Sequence, residues 1–337
     1  LLAQFVKRYL TDIEAAIQRV LEQRLNDEAE FGLMMRYALG WVDEQGKPHN
    51  TSTGKRLRPT VLLLCNEAAG GDYRKALPAA AAVELLHNFS LVHDDIQDNS
   101  ATRHNRPTVW QVWGKANAIN AGDAMFTLAY AALYEIADNV DPTLALRIWQ
   151  IFNSTNLELT RGQHLDMRFE KLDTVKVDDY ISMLRGKTAA LLAACAQIGA
   201  LIANATPTSA QHYHDFGLHI GIAFQIRDDI LGIWGDPQVI GKSAATDIVS
   251  RKKSLPVLFG LDRSEELKAL YQREAFNNAD VREAVMLLDE LNAQEYSREQ
   301  ELTYYNKAMK ALDAANPQGD AADSLRKFVD ALFERLY

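Results

Sequence analysis

Hydrophobic side chains recur at spacings of three and four along most of this chain. Residues 2–24, "LAQFVKRYLTDIEAAIQRVLEQR", interleave apolar and charged positions as an amphipathic helix requires. A second short helix is expected over 28–39. The polar stretch "DEQGKPHNTSTGKRLRP" then leads to a helix that begins near Thr60. "ALPAAAAVELLHNFSLVHDD" reads as one long helix, with Pro78 acceptable in its first turn. Beyond a loop at 99–107, the period predicts helices over 115–138, 142–170, 177–203 and 208–234. "GDPQVIGKSAATDIVSRKKS" interrupts the period as a loop, and shorter helices are expected from Leu255 onward. No stretch sustains a period of two, and neither an Asn-Gly hairpin signal nor a βαβ rhythm occurs. "TAALLAACAQIGALIANA" is apolar around most of its circumference, which predicts a helix surrounded by others. No linker divides the chain and no short repeat stands out, so the pattern predicts a single all-α domain over 1–337.

The bulk numbers narrow the function. A net charge of −9 argues against a nucleic-acid partner, which usually shows as a basic excess. It leaves small phosphorylated substrates open, because a cationic pocket can sit in an acidic protein. The two cysteines, Cys65 and Cys195, lie inside apolar helical patterns and read as core residues, which points to a reduced, cytoplasmic setting. No run of eighteen apolar residues occurs, so no membrane span is expected. The first residues do not read as a signal peptide, and with no initiator Met the natural start is expected upstream.

Charge placement then becomes the puzzle. "LVHDDIQDNSATRHNRP", residues 91–107, sets three aspartates where an apolar helix leaves the core. Asp94 and Asp98, four apart, share a helix face, and Asp95 lies about 100° around it. Like charges at that spacing repel. Taken alone, the cluster is also compatible with a solvated helix end. "FQIRDDILGIWGDP" repeats the device, with Asp228 and Asp229 near the end of another apolar helix. Helix C-termini already carry partial negative charge, so carboxylates there ask for cations. Facing each other across a bundle, two such clusters would suit a hard divalent ion. Mg²⁺ fits best, since it prefers oxygen, keeps water and bridges carboxylates to phosphates. No Cys/His cluster suggests zinc. Cationic stretches accompany the acids: Lys55, Arg56 and Arg58 beside Gly54; Lys187 with Thr188; and Lys242, Lys252 and Lys253. Together they describe a pocket for two diphosphates, one metal-bound and one held by side chains alone.

With these motifs in order from about Gly54 to Leu261, the chain resembles the trans-prenyltransferases of the isoprenyl diphosphate synthase family. "GKRLRP" is similar to that family's isopentenyl diphosphate motif, "DDIQD" to its first aspartate-rich motif and "FQIRDDILG" to its second. "GKT" at 186–188 and "GDPQVIGKSAATDIVSRKK" resemble its remaining diphosphate-binding stretches. The resemblance implies a helical bundle of the isoprenoid synthase type with a central active-site cavity. It assigns Lys55, Arg58 and His87, with His104, to isopentenyl diphosphate. Asp94 and Asp98 become ligands of two magnesium ions and Asp228 of a third. Arg103, Lys187, Thr188, Gln225, Lys242 and Lys252 are assigned to the allylic diphosphate. Asp95 and Asp229 are supporting acids acting through metal-bound water. Gln163 and Asp166 in "RGQHLD" resemble another recurring stretch. A homodimer is implied as well.

The implied activity is Mg²⁺-dependent condensation of isopentenyl diphosphate with an allylic diphosphate. Two departures from the pattern stand out. Arg103-His104 replaces a usual pair of arginines, followed by Asn105 where glycine is usual, with Arg106 as a possible compensating cation. Gly232 stands where many relatives have a third aspartate. Phe89 and Ser90, one turn before the first aspartates, resemble the pattern of geranylgeranyl-forming members, which sets the expected product at twenty carbons, with fifteen and twenty-five open. Two rivals stand beside this reading. A terpene cyclase needs no isopentenyl site, so "GKRLRP" and His87 count against it. A non-catalytic subunit would be expected to lose the metal ligands, yet Asp94, Asp98 and Asp228 remain.

Overall fold

The computed structural model describes residues 2–25, 29–49, 56–172, 174–235, 245–273 and 275–334, and is almost entirely helical. Lys55 and Lys242 lie outside the described residues. The chain divides into two compact units, each assembled from three stretches. The first comprises Leu1–Trp149, Ile198–Thr206 and Pro317–Phe328; the second comprises Gln150–Gln197, Pro207–Asn316 and Val329–Tyr337.

In the first unit, α1 (Leu2–Leu25), α2 (Ala29–Ala38), α3 (Leu57–Ala68), α4 (Leu77–Gln97) and α5 (Val109–Tyr134) surround a core centred on α4. Small residues make that centre possible. Ala79, Ala80, Ala81 and Ala82 are all buried, so neighbouring helices close in on α4 from several sides. α3 starts at Leu57, three residues earlier than its period suggests, because Pro59 fits in a first turn that needs no backbone donor there. Arg56 precedes it with φ of 41°. α5 also starts early, but Gly114, at φ 81° and ψ 158°, breaks it, and the straight helix runs on from Lys115. α6 (Pro142–Glu170) follows the sequence expectation at both ends and passes from the first unit into the second.

The loop at 99–107 corrects the sequence reading. It contains a two-stranded antiparallel ribbon, β1 (Thr102–Arg103) and β2 (Arg106–Pro107), in which Arg103 pairs with Arg106. Strands of two residues are too short to alternate, and their turn has no glycine to announce it. His104 and Asn105 close it with φ of 50° and 59°, the paired positive angles that a two-residue hairpin turn demands.

In the second unit the helix expected over 177–203 is three pieces. α7 (Val177–Leu184) runs into a π turn at Arg185–Ala189, and α8 (Ala190–Ile202) continues from it back into the first unit. α9 (Pro207–Trp234) is as expected, and Gly217 and Gly221 let α8 and the π turn press against its backbone. Next come the short α10 (Thr246–Val249), α11 (Leu255–Arg263) and α12 (Glu265–Tyr271), followed by α13 (Asn278–Glu290). α14 (Ala293–Ala315), 23 residues long, corrects the expectation of only short helices here; it packs along α9, with Arg227 and Glu301 paired at 2.6 Å. α15 (Gly319–Glu334) closes the described chain. Cys65 and Cys195 are both fully buried, as their patterns suggest. Among the described residues no helix is long and apolar enough to cross a membrane.

Candidate active site

The first acidic group belongs to the first unit. Asp94 is half-buried and Asp98 exposed on one face of α4, whereas Asp95, turned about 100° from Asp94, is buried. Buried carboxylates need partners, and Asp95 has a forked one. Arg103 Nε donates to Asp95 Oδ1 and Oδ2 at 2.9 and 3.1 Å, and its Nη2 lies 2.8 Å from Oδ1. Burial still holds the Asp95 carboxyl above its ordinary value, with Arg103 pulling against it. Arg103 was expected on the allylic diphosphate; here it is engaged by Asp95 directly rather than across water. The loop carrying it is pinned to the helix end. Ser100 N–H donates to Asp95 O at 2.9 Å, while Thr108 Oγ1 and Trp110 Nε1 donate to Ser100 O at 2.8 and 2.9 Å.

Two turns earlier on α4, His87 meets the start of α3. Arg58 Nη1 donates to His87 Nε2 at 3.0 Å, so the imidazole is neutral and carries its proton on Nδ1. Burial, and then the charges of Arg58, Arg103, Arg56 and His104, push its pKa well below the ordinary value. Arg56, a candidate cation by sequence, is instead a buried tie. It donates to Glu14 at 2.8 Å, to Glu84 at 2.7 Å and to the Leu39 carbonyl at 2.9 Å, which fixes the start of α3 next to Arg58. Arg106 is likewise engaged, donating to Val42 O at 2.7 Å with its guanidinium 4.0 Å over the Tyr37 ring. His104 is exposed at the tip of the ribbon.

Below the aspartates Ser90 Oγ donates to His87 O at 2.8 Å. Phe89 begins a series of half-buried rings: Phe126 at 5.1 Å, then Tyr130 at 5.2 Å and Trp149 at 5.5 Å between successive centroids.

The second acidic group, in the second unit, repeats the pattern. Asp228 is exposed and Asp229 is fully buried. Asp229 accepts from Tyr180 Oη, from Leu255 N–H at 3.2 Å and from Gln225 Nε2 at 3.3 Å, and Lys252 Nζ stands 3.7 Å away. Burial and Asp229 together keep the Tyr180 phenol protonated, with its pKa far above the ordinary range. For Lys252, burial works against the charge, but Asp229 and Asp247 outweigh it and hold the ammonium above its ordinary value. Thr188 Oγ1 donates to Gln225 Oε1 at 3.2 Å, and Lys187 Nζ is paired with Asp166. Gln163 is buried beside this pair's helix. Lys253, expected among the site cations, instead donates to the Phe169 and Leu172 carbonyls and caps the end of α6.

The π turn explains how Lys187 reaches Asp166. Gly162 of α6 and Gly186 of the turn meet without side chains; a β-carbon on Gly162 would run into the Lys187 backbone, and one on Gly186 would lie 2.6 Å from Glu158 O. A π bulge here lets the chain cross α6 at backbone contact, a geometry recurrent at functional sites.

Among the described residues no group of three or more His, Cys, Asp or Glu side chains could hold a metal by itself. The carboxylates present nevertheless fit Mg²⁺, which takes one or two of them and completes its shell with water and phosphate. Open oxygens at Asp94, Asp98 and Asp228, each near a helix C-terminal end, are hard donors of that kind.

The family model described as Polyprenyl synthetase matches residues 41–288. The chain belongs to this family. It is 47% identical over 224 residues to a (2E,6E)-farnesyl diphosphate synthase of Mycobacterium tuberculosis, a match covering 66% of this chain but only 61% of that protein's length. It is 41% identical over 288 residues to a geranylgeranyl diphosphate synthase of Mycobacterium tuberculosis, covering 84% of this chain and 81% of the relative. Among solved structures, a polyprenyl synthetase from Streptomyces coelicolor A3(2) superposes with a TM-score of 0.90 at 33% identity, over 98% of this chain and 99% of that one. Polyprenyl synthetase motifs thus account for the residues that sequence reasoning found. Arg56 and Tyr180 escaped it. Arg56 looked like one more cation in a cationic motif, and Tyr180 sits in an ordinary amphipathic helix; only long-range partners distinguish them.

Proposed function

We propose that this chain is a Mg²⁺-dependent prenyltransferase that joins isopentenyl diphosphate head-to-tail to an allylic diphosphate. The observation that carries the reading is the repeated doublet, in which the first aspartate is open and the second is buried and tied to a cationic side chain. Family membership and the resemblance of five motifs support it. Asp94 and Asp98 would hold two magnesium ions and Asp228 a third. Bound there, Mg²⁺ neutralises the charge that builds on the departing pyrophosphate. Lys187, Thr188, Gln225 and Lys252, with Lys242, bind and orient the allylic diphosphate. Arg103 fixes Asp95 in place beside it.

Arg58 and neutral His87, with Lys55 and exposed His104, bind isopentenyl diphosphate. A pair of donors, one charged and one neutral, suits a diphosphate held by side chains alone. The allylic C–O bond breaks heterolytically and its electrons leave with pyrophosphate. The isopentenyl double bond then attacks the cation, and the proton lost afterwards goes to that pyrophosphate. Apolar walls keep water from the cation. A terpene cyclase would have no use for the Arg58–His87 pair.

We assign geranylgeranyl diphosphate as the product, with Phe89 as the stop. A fifteen-carbon product is the second reading, favoured by the 47% identity to a farnesyl diphosphate synthase. The chain acts as one catalytic domain, a reading supported by α6, α8 and α15, each of which contributes to both units. It works as a cytoplasmic homodimer, to which exposed Ile119 and Tyr134 on α5 and Leu146 on α6 would contribute apolar surface.

The test is a product assay. Purified protein is incubated with Mg²⁺, isopentenyl diphosphate and, separately, dimethylallyl, geranyl or farnesyl diphosphate, and products are sized by mass spectrometry. Elongation ending at twenty carbons is expected. Metal-dependent release of hydrocarbon from an allylic substrate alone would overturn the reading in favour of a cyclase.

A further inference from the structure

The first doublet has a third carboxylate one turn on: Asp98 follows Asp94 by four residues. Four residues after Asp228 stands Gly232, which has none. The space a side chain would take there is already filled. A β-carbon on Gly232 would lie 2.5 Å from Cγ of Asp247, and 2.6 and 2.7 Å from its Oδ2 and Oδ1. Asp247 lies in α10, mostly buried, and its Oδ2 is 3.7 Å from Lys252 Nζ, which stands 3.7 Å from Asp229 as well. The segment is anchored: Lys252 N–H donates to Asp247 O at 2.8 Å, and Ile248 is fully buried.

We propose that Asp247 is the third carboxylate of the second doublet, laid over Gly232 from a later segment instead of projecting from α9. Gly232 is then the complement of Asp247, since any side chain there would evict the carboxylate. Charge points the same way. Asp166, Asp228, Asp229 and Asp247 act on Lys252, and Asp166 also holds Lys187. Among the described residues, these four carboxylates face two ammonium groups, an excess of two negative charges that one divalent cation would balance. Asp247 therefore serves the metal-bound diphosphate together with Asp228. This inference rests on the metal-dependent reading above.

Moving the carboxylate tests it. Thermal unfolding with and without Mg²⁺ and inorganic pyrophosphate is measured for the natural chain, for Gly232→Asp, for Asp247→Ala and for the double variant; the Mg²⁺ midpoint of prenyl transfer is followed in parallel. The natural chain should be stabilised by Mg²⁺ and pyrophosphate. Asp247→Ala should lose most of that shift and need roughly tenfold more Mg²⁺. Gly232→Asp should be destabilised even without ligand, through collision with Asp247. The double variant should regain both the shift and the midpoint. If Asp247→Ala does not fold, Asp247→Asn, of equal size, gives the same comparison with the same expected loss. A full shift and unchanged midpoint in either single Asp247 variant, or a folded double variant no better than Asp247→Ala, would overturn the proposal. A natural chain that transfers prenyl groups without any response to Mg²⁺ and pyrophosphate would overturn the metal-dependent reading and this inference together.

Discussion

Asp228 and Asp229 are neighbours in sequence and opposites in environment, because one residue of helix is about 100° of rotation. Asp229 is buried against Tyr180, Gln225, Lys252 and the Leu255 amide, so Asp229→Asn leaves Lys252 uncompensated. A loss of roughly 3–5 kcal/mol in chemical denaturation is expected, the cost of breaking a buried pair from one side. Asp228→Asn, at an exposed position, should change stability by no more than about 0.5 kcal/mol. It should nonetheless lower kcat/KM by roughly 10- to 100-fold, as loss of a metal ligand does. His87 offers a different test. Its native pKa is depressed, so below the ordinary value of about 6.5 the unfolded chain takes a proton that the native chain refuses. Stability is therefore unaffected by this group above that pH and falls as pH drops below it, by up to about 1.4 kcal/mol per unit. Denaturation of His87→Gln between pH 7.5 and 5 should show a correspondingly shallower decline, even though Arg58, Arg103, Arg56 and His104 still surround the site.

At the scale of elements, the crossing of α6 with the π turn is the most exacting contact. Gly162→Ala would push a methyl into the Lys187 backbone, where no flexible side chain can yield, and a cost of about 3 kcal/mol, at the upper end of overpacking, is expected in denaturant titrations. Phe89 makes the complementary case. Phe89→Ala removes the first ring of the Phe89–Phe126–Tyr130–Trp149 series, and its products should lengthen by at least one five-carbon unit in the mass-spectrometric assay. Long periodic helices such as 142–170 and 208–234 were readable from spacing alone, since burial imposes that spacing. The π turn was not, because one additional residue per turn leaves apolar spacing nearly unchanged. Nor was the ribbon at 102–107, where His104 and Asn105 take the positive φ angles that sequence reasoning looks for in glycine. Within the candidate site, the aspartate doublets were legible through local repulsion. Arg56, Tyr180 and Asp247 were not, for each is defined by partners far away in sequence.

For the molecule as a whole, a net charge of −9 coexists with cations concentrated in the diphosphate motifs, so steering is local rather than global. The proposed homodimer predicts twice the chain's mass in light scattering. Introducing charge at Tyr134 or Leu146 should shift that mass toward the monomer. The first unit takes its last stretch from Pro317–Phe328, close to the end of the chain. There Gln318 N–H donates to Ala68 O at 2.7 Å, Leu325 is fully buried, and Phe328 meets Phe5 edge to face at 6.0 Å between centroids. During synthesis, the helices made first must therefore wait on the ribosome for residues made almost last. Neither unit can be completed, or released by a single proteolytic cut, as a continuous fragment.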